Sequence, residues 1–470
     1  MFNSFIFILV YPVLFLLYYL IPSRFVTVRN AFLLVASYTI YFYWNAGWPL
    51  ALLLVTLITY VAAIVIDGRA KTWSTHNRKW LIVIGIIFAV LPLAVIKYTD
   101  FILSTITSLF SNGETHLAGL NWAIPIGLSF FTFQAVGYVV DVYKKKIPAE
   151  RNLLNYSLFV SFFPSIVAGP INRATSMLPQ FRENNRRFDY DKVVSGMKMV
   201  LWGLLMKVVV ADRLGMYVDT VMPQYMNYSG ITCFLASVAY SMQIYADFAG
   251  YSLMAIGIGK SLGFDLAENF CRPYFSISIT DFWHRWHISL STWLRDYIYI
   301  PLGGSRCSKA RNYFNILVTF LVSGLWHGAN WTFVLWGGIH GAAQVVEKWL
   351  GLQKSQRKGL GRLLRITVTF IVVNFAWVFF RMSSVSDAVS CIGRMFTAGG
   401  GVFYSSQLDY CFVGLAMLIL KDIADEFYPS RFKFFDNRYI VVRWVSYLFV
   451  LLIIMLSGVF TQGNFIYANF

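Results

Sequence analysis

Apolar stretches long enough to dissolve in lipid recur along the whole chain, separated by short polar and basic breaks. Hydrophobic windows fall near 2–21, 30–45, 49–66, 80–97, 124–142, 192–211, 232–260, 312–326, 331–347, 366–380, 409–424 and 440–459. A helix needs roughly 20 such residues to cross a hydrocarbon core of about 30 Å. The pattern therefore predicts an all-α polytopic membrane protein of about 11–12 transmembrane helices, with no room for a large soluble domain. A further apolar piece from Ser157 to Ile171 is interrupted by Pro164, Gly169 and Pro170. It reads as a re-entrant segment, which must be shielded from lipid by protein. The opening run MFNSFIFILVYPVLFLLYYLI has neither a basic leader nor a small-residue cleavage site, so it is expected to be a retained first helix.

Composition agrees, since 58% of the 470 residues are hydrophobic and 13% charged, which excludes an ordinary soluble domain. The net charge of +17 could suggest nucleic acid, but the basic clusters sit between apolar segments and are explained by topology, so no nucleic-acid partner is expected. Arg24 and Arg29, then Arg69, Lys71, Arg78 and Lys79, then Lys144, Lys145, Lys146 and Arg151, then Arg173, Arg182, Arg186 and Arg187 mark basic loops. They alternate with the turn Asn45 to Trp48 and the loop Asp100 to Trp122, which contain no lysine or arginine; the latter carries only Asp100 and Glu114. The positive-inside rule places the basic loops in the cytoplasm and the N-terminus outside. By the same alternation the segment from Phe264 to Arg311 starts on the cytoplasmic side, and Lys348, Lys354, Arg357, Lys358, Arg362 and Arg365 return to it. Cys233, Cys271, Cys307, Cys391 and Cys411 lack any spacing for a disulfide framework or a zinc site. No internal repeat is visible, which weighs against a transporter of inverted repeats.

Candidate chemistry concentrates in two places. The first is ITDFWHRWHISLSTWLRDYIYI, which carries Asp281, His284, Arg285, His287, Arg295 and Asp296. An amphipathic helix partly sunk into the bundle would put Trp283, Trp286, Leu290 and Trp293 on one face, with Asp281, Arg285, His284 and His287 as neighbours. An interfacial helix with an aromatic belt and salt-bridged charges is the other reading. The second is GLWHGANWTFVLWGGIHG, with His327 between two apolar runs and His340 among Gly337, Gly338 and Gly341. An ionisable residue at membrane depth marks a functional site by default, although a nearby carbonyl or Asn330 could simply satisfy His327. His340 serves either function or close helix packing.

A neutral imidazole is a natural general base and a hydroxyl its natural proton source. An alcohol attacking an acyl thioester needs that base, a second polar group and a chamber that excludes water, and His327 and His287 could supply the first two. No G-x-S-x-G elbow or H-E-x-x-H zinc motif is present. Six histidines are too few for a histidine-rich di-metal site, and His76 and His116 fall in polar loops, so no metal is expected. Asp247, near Gln243 and tyrosines, needs a partner at membrane depth, and it either orients the site or fixes packing. Lys97, Asp141 and Lys207 lie near span ends, from which they can snorkel.

The segments PIGLSFFTFQAVGYVVDVY, SFFPSIVAGPINR, YADFAGYSLMAIGIGKSLGF, ENFCRPYFSISITDFWHRWHISLSTWLRDYIYIPLGG and GLWHGANWTFVLWGGIHG resemble those of the membrane-bound O-acyltransferase family, abbreviated MBOAT. The resemblance runs from about Trp122 to the end. YIPLGGSR with RNYFNILVTFLVSGLWHGANW is more similar to the bacterial alginate O-acetylation branch, with its exopolysaccharide and peptidoglycan relatives, than to the teichoic-acid D-alanylation branch. The tail GNFIYANF is similar to the tails of some bacterial members.

This resemblance implies an MBOAT-like bundle in a single domain over 1–470, with peripheral helices 1–120, a motif-bearing core 122–350 and C-terminal helices 351–470. It implies that His327 is the acyl-transfer residue and His287 a second polar position. Asp281, Arg285, Arg295 and Asp296 match surrounding positions, and Asp247, Asn330 and His340 are supporting candidates. Funnels from both faces would meet at a thin partition. The implied donor is acetyl-CoA or another acyl thioester on the cytoplasmic side, with no bound cofactor. The implied partner is an extracytoplasmic acetyltransferase of the SGNH-hydrolase type, and the place a bacterial cytoplasmic (inner) membrane. D-alanyl or other acyl transfer, and transport or flipping without covalent chemistry, remain as alternatives.

Overall fold

The computed structural model describes residues 2–44, 48–68, 75–110, 122, 125–167, 169–183, 186–352, 359–429 and 435–460. Arg69, Lys71, Glu114, His116, Lys354, Arg357, Lys358, most of the turn at 45–48 and the tail 463–470 lie outside the described residues.

The apolar windows become helices. In chain order they are α1 Phe5–Leu20, α2 Val26–Trp44, α3 Pro49–Gly68, α4 Thr75–Phe110, α5 Leu128–Tyr143, α6 Leu153–Ser161, α7 Phe163–Ile166, α8 Ala174–Arg182, α9 Tyr190–Leu204, α10 Asp212–Val221 and α11 Gly230–Ser261. They continue with α12 Ile279–Arg285, α13 Ile288–Leu294, α14 Lys309–His327, α15 Trp331–Trp349, α16 Leu360–Arg381, α17 Val385–Thr397, α18 Gln407–Phe427 and α19 Ile440–Ser457. Every predicted span overlaps one of them, and the span 192–211 runs through α9 into a π-helical turn, Leu205–Ala211. Among the described residues, five helical stretches are long and apolar enough to cross a membrane by length and composition: Pro49–Gly68, His76–Ser108, Tyr190–Asn227, Leu360–Arg381 and Ile440–Ser457.

The difference between outer and inner helices follows from what each must face. α19 turns Val441, Val445, Leu448, Leu452 and Met455 outward, as a lipid-facing helix does, whereas α11 buries Tyr240, Gln243, Asp247, Tyr251 and most of its other side chains at the centre. The re-entrant reading of 157–171 is matched by a break between α6 and α7 at Phe162, with Leu158 to Val167 buried throughout. His76 is not in a loop: it opens α4 and accepts a hydrogen bond from Trp80 at 2.9 Å.

α14 and α15 form the hairpin that carries His327 and His340. They approach through glycine: a Cβ at Gly324 would collide with the Phe333 carbonyl, and one at Gly337 with the Phe320 carbonyl. Such close backbone contact is the usual way membrane helices pack. Gly337→Val is therefore expected to destabilise the protein by about 1–3 kcal/mol through overpacking, read as a lower midpoint of thermal aggregation in detergent.

Candidate active site

Three histidines converge on the interior, with His287 at 0%, His327 at 2% and His340 at 0% exposure. An aromatic wall connects them. His287 packs against Phe130 of α5, Phe248 of α11 (4.6 Å between ring centres), Phe270 and Trp326 (5.9 Å). His327 packs on the same Trp326 (4.8 Å), on Trp336 (4.9 Å) and on Phe380 (5.3 Å), and His340 on Trp336 (5.0 Å) and Trp283 (5.3 Å). His287 and His327 thus share Trp326 as a wall.

The segment holding His287 is not the single amphipathic helix predicted within 279–300. α12 stops at Arg285 and α13 starts at Ile288, with His287 between them in the left-handed region at φ 44° and ψ 52°. Trp283, Trp286, Leu290 and Trp293 consequently do not form one helical stripe, and His287 is not a helical neighbour of Asp281. The backbone groups freed by the break are taken up by the preceding loop: Ile288 N–H donates to the Asn269 carbonyl and Cys271 N–H to the Arg285 carbonyl, both at 2.9 Å. A β-carbon-bearing residue in that region carries a conformational cost, which the loop pairing offsets.

Hydrogen bonds distinguish the two imidazoles at 287 and 340. His287 Nδ1 lies 3.0 Å from Asn269 Oδ1. His340 Nδ1 accepts from Trp283 Nε1–H at 3.3 Å. Nε2 of each ring is buried without a hydrogen-bond partner among the described residues.

His327 is held through its backbone. Lys97, predicted to snorkel, is instead 5% exposed and its ammonium bonds the carbonyls of Trp326 (2.6 Å) and His327 (3.0 Å), while Tyr98 bonds that of Leu325 (2.7 Å). A cation on the last carbonyls of α14 satisfies groups that no helical N–H reaches and complements the helix dipole. Lys97→Met is expected to cost about 1–3 kcal/mol by leaving those carbonyls unpaired and to lower turnover more than substrate affinity, measurable as a kcat-against-KM split.

Other predicted residues lie apart from this chamber. Asn330 caps α15 by accepting from Thr332 N–H at 3.0 Å and donates to the Ser383 carbonyl at 2.9 Å. Arg285 binds Asp281 (2.9 Å) and Glu426 of α18 (2.9 Å), and Glu426 also holds Arg272 (2.9 Å) and Arg362 (2.7 Å). Arg295 pairs with Asp296 (2.8 Å), which binds Arg173 (3.0 Å). Asp247 meets Lys207 at 2.7 Å, and Lys207 also meets Asp212 at 2.7 Å; this lysine and Asp141 are buried, not snorkelling. Asn269 and Glu426 are the residues that sequence reasoning missed, whereas Trp283 is read there only as part of an aromatic face and Lys97 only as a snorkelling residue. Asn269 falls in the quoted motif around His287, but no periodicity singles it out.

A cavity of about 280 Å³ borders the chamber, with Ile288, Ile316 and Phe320 along it and His284, Arg295 and Lys348 among its polar lining residues. Trp283 lines it and also bonds His340, so one indole separates cavity from histidine.

A helical membrane bundle with buried histidines behind an amphiphilic cavity defines a class of intramembrane enzyme, and the family model of the membrane-bound O-acyltransferases matches residues 142–386. The chain belongs to that family and is an O-acyltransferase. It is 38% identical over 400 residues to the "Probable alginate O-acetylase AlgI" of Azotobacter vinelandii, covering 85% of this chain and 78% of that one. It is 35% identical to the peptidoglycan O-acetyltransferase of Helicobacter pylori (85% and 80% covered) and 26% identical to the teichoic acid D-alanyltransferase of Bacillus subtilis (69% and 82%). The chain falls in the branch of the alginate O-acetylases, as a multi-pass membrane protein catalysing O-acetyl transfer.

Proposed function

We propose that the chain takes an acetyl group from an acyl thioester, acetyl-CoA first among them, at the cytoplasmic face of a bacterial inner membrane. It passes the group to an extracytoplasmic partner of the SGNH-hydrolase type, which O-acetylates a secreted polysaccharide such as alginate. The N-terminus lies outside, an orientation that the alternation of the basic loops supports. The observation that carries this reading is the buried, unpartnered Nε2 of His287 in the aromatic chamber it shares with His327.

A hydroxyl oxygen attacks the thioester carbonyl, its proton passing to the histidine pair; the C–O bond forms, the C–S bond breaks, and the thiolate leaves with a proton. The aromatic walls exclude water, which would otherwise hydrolyse the donor. The cavity behind Trp283 suits the donor: its apolar lining accepts an extended thioester arm, while Arg295 and Lys348 attract anionic groups.

The test mixes the purified full chain with labelled acetyl-CoA and a hydroxyl acceptor or the partner, beside His327→Ala. Transfer by the wild type and its loss in a folded variant are expected. Unchanged transfer in the variant removes His327 from the mechanism. Transfer only from a D-alanyl carrier thioester moves the chain to the alternative acyl group, and substrate movement with no covalent transfer overturns the enzyme reading.

A further inference from the structure

Asn269 sits 2% exposed in the loop ahead of α12, and its two amide atoms are told apart by their neighbours. Oδ1 lies 3.3 Å from the backbone N–H of Ser289, which can only donate, and 2.9 Å from Ser289 Oγ, while Nδ2 donates to Ser252 Oγ at 3.0 Å. The atom facing His287 Nδ1 at 3.0 Å is therefore the oxygen. An amide oxygen only accepts, so Nδ1 must carry the ring proton, and in a neutral imidazole Nε2 is then left with a lone pair.

We infer that Asn269 is a positioning residue that locks His287 in the Nδ1–H tautomer, so that Nε2 receives the O–H hydrogen of the acceptor. This rests on the acyl-transfer reading and sharpens it, by assigning the acceptor side of the histidine pair to one atom. His340 shows the opposite arrangement. Its Nδ1 accepts from the Trp283 indole, which has no lone pair to offer in return, so Nε2–H points outward as a donor and cannot take a proton in that state.

Two further features support a locked ring. The same residue clamps the backbone, because the Asn269 carbonyl accepts Ile288 N–H at 2.9 Å and so holds the left-handed turn at His287. The ring is also walled by Phe130, Phe248, Phe270 and Trp326, none of which competes for Nδ1.

The experiment compares wild type, Asn269→Asp and Asn269→Leu as full chains in nanodiscs by two readouts. The first is nitrogen-15 NMR of histidine-labelled protein, with the His287 signals assigned by their loss in His287→Gln. The Nδ1–H pattern is expected in wild type and Asn269→Asp, and its loss in Asn269→Leu. The second is acetyl transfer: kcat is expected to fall about 10²-fold or more in Asn269→Leu with KM little changed, as for a histidine in the wrong tautomer, and the carboxylate oxygen of Asn269→Asp is expected to restore most of it. An Nε2–H pattern in wild type, Asn269→Leu turning over normally, or Asn269→Asp as inactive as Asn269→Leu each overturns the proposal. Absence of transfer from wild type with the Nδ1–H pattern intact overturns the acyl-transfer reading alone.

Discussion

Replacing His287 or His327 with alanine is expected to lower acetyl transfer by about 10²–10⁴-fold, the range over which a positioned proton-transfer group acts. Both side chains are buried, 0% and 2% exposed, so each truncation leaves a small cavity in an aromatic wall and not a solvent channel. The helical bundle should therefore survive, which size-exclusion elution and circular dichroism would verify at matched protein amounts. Because the two rings share Trp326 and serve one proton-transfer event, the double variant is expected to be little worse than the poorer single one, as for groups that act as a unit. Multiplying losses would mean that they act in separate steps. His340→Ala is expected to act differently. With its Nδ1 held by Trp283 and its ring in contact with Trp336, its loss should lower thermal stability first and transfer second.

How much of this was legible in sequence depends on the range of the interaction involved. The spans were legible because a membrane helix announces itself by local composition, and the paired glycines beside His340 similarly announced close packing. The break at His287 was not. Residues 279–300 carry the spacing of one amphipathic helix, and what stops the helix is backbone pairing with the preceding loop, Ile288 N–H to the Asn269 carbonyl 19 positions away and Cys271 N–H to the Arg285 carbonyl 14 positions away. The lysines at 97 and 207 were misplaced for the same reason. A lysine near a span end can reach water, and only the fold shows that Lys97 instead reaches α14 and Lys207 reaches α11. Glu426 escaped notice because its three arginines come from α12, α16 and the loop before α12, and no local pattern joins them.

Lys207→Met is expected to be the most destabilising of these substitutions. Lys207 is 1% exposed and shared by Asp247, also 1%, and Asp212, 8%, with both contacts at 2.7 Å. Removing one partner of a buried ion pair leaves charge without its compensation and typically costs about 3–5 kcal/mol. Replacing the whole cluster by Lys207→Met, Asp212→Asn and Asp247→Asn removes the buried charges together, and is expected to recover most of that loss. Thermal unfolding in one detergent would compare the two. The lysine sits in a π-helical turn, Leu205–Ala211, whose widened hydrogen bonding joins α9 to α10 at the point where they face α11. Phe248, next to Asp247 on α11, packs on the His287 ring at 4.6 Å. A shift of α11 on loss of the cation would thus reach the chamber, and acetyl transfer is expected to fall with stability in Lys207→Met but to return in the triple variant. Recovery of stability without recovery of transfer would show that the ion cluster itself, and not the helix register it fixes, serves the reaction.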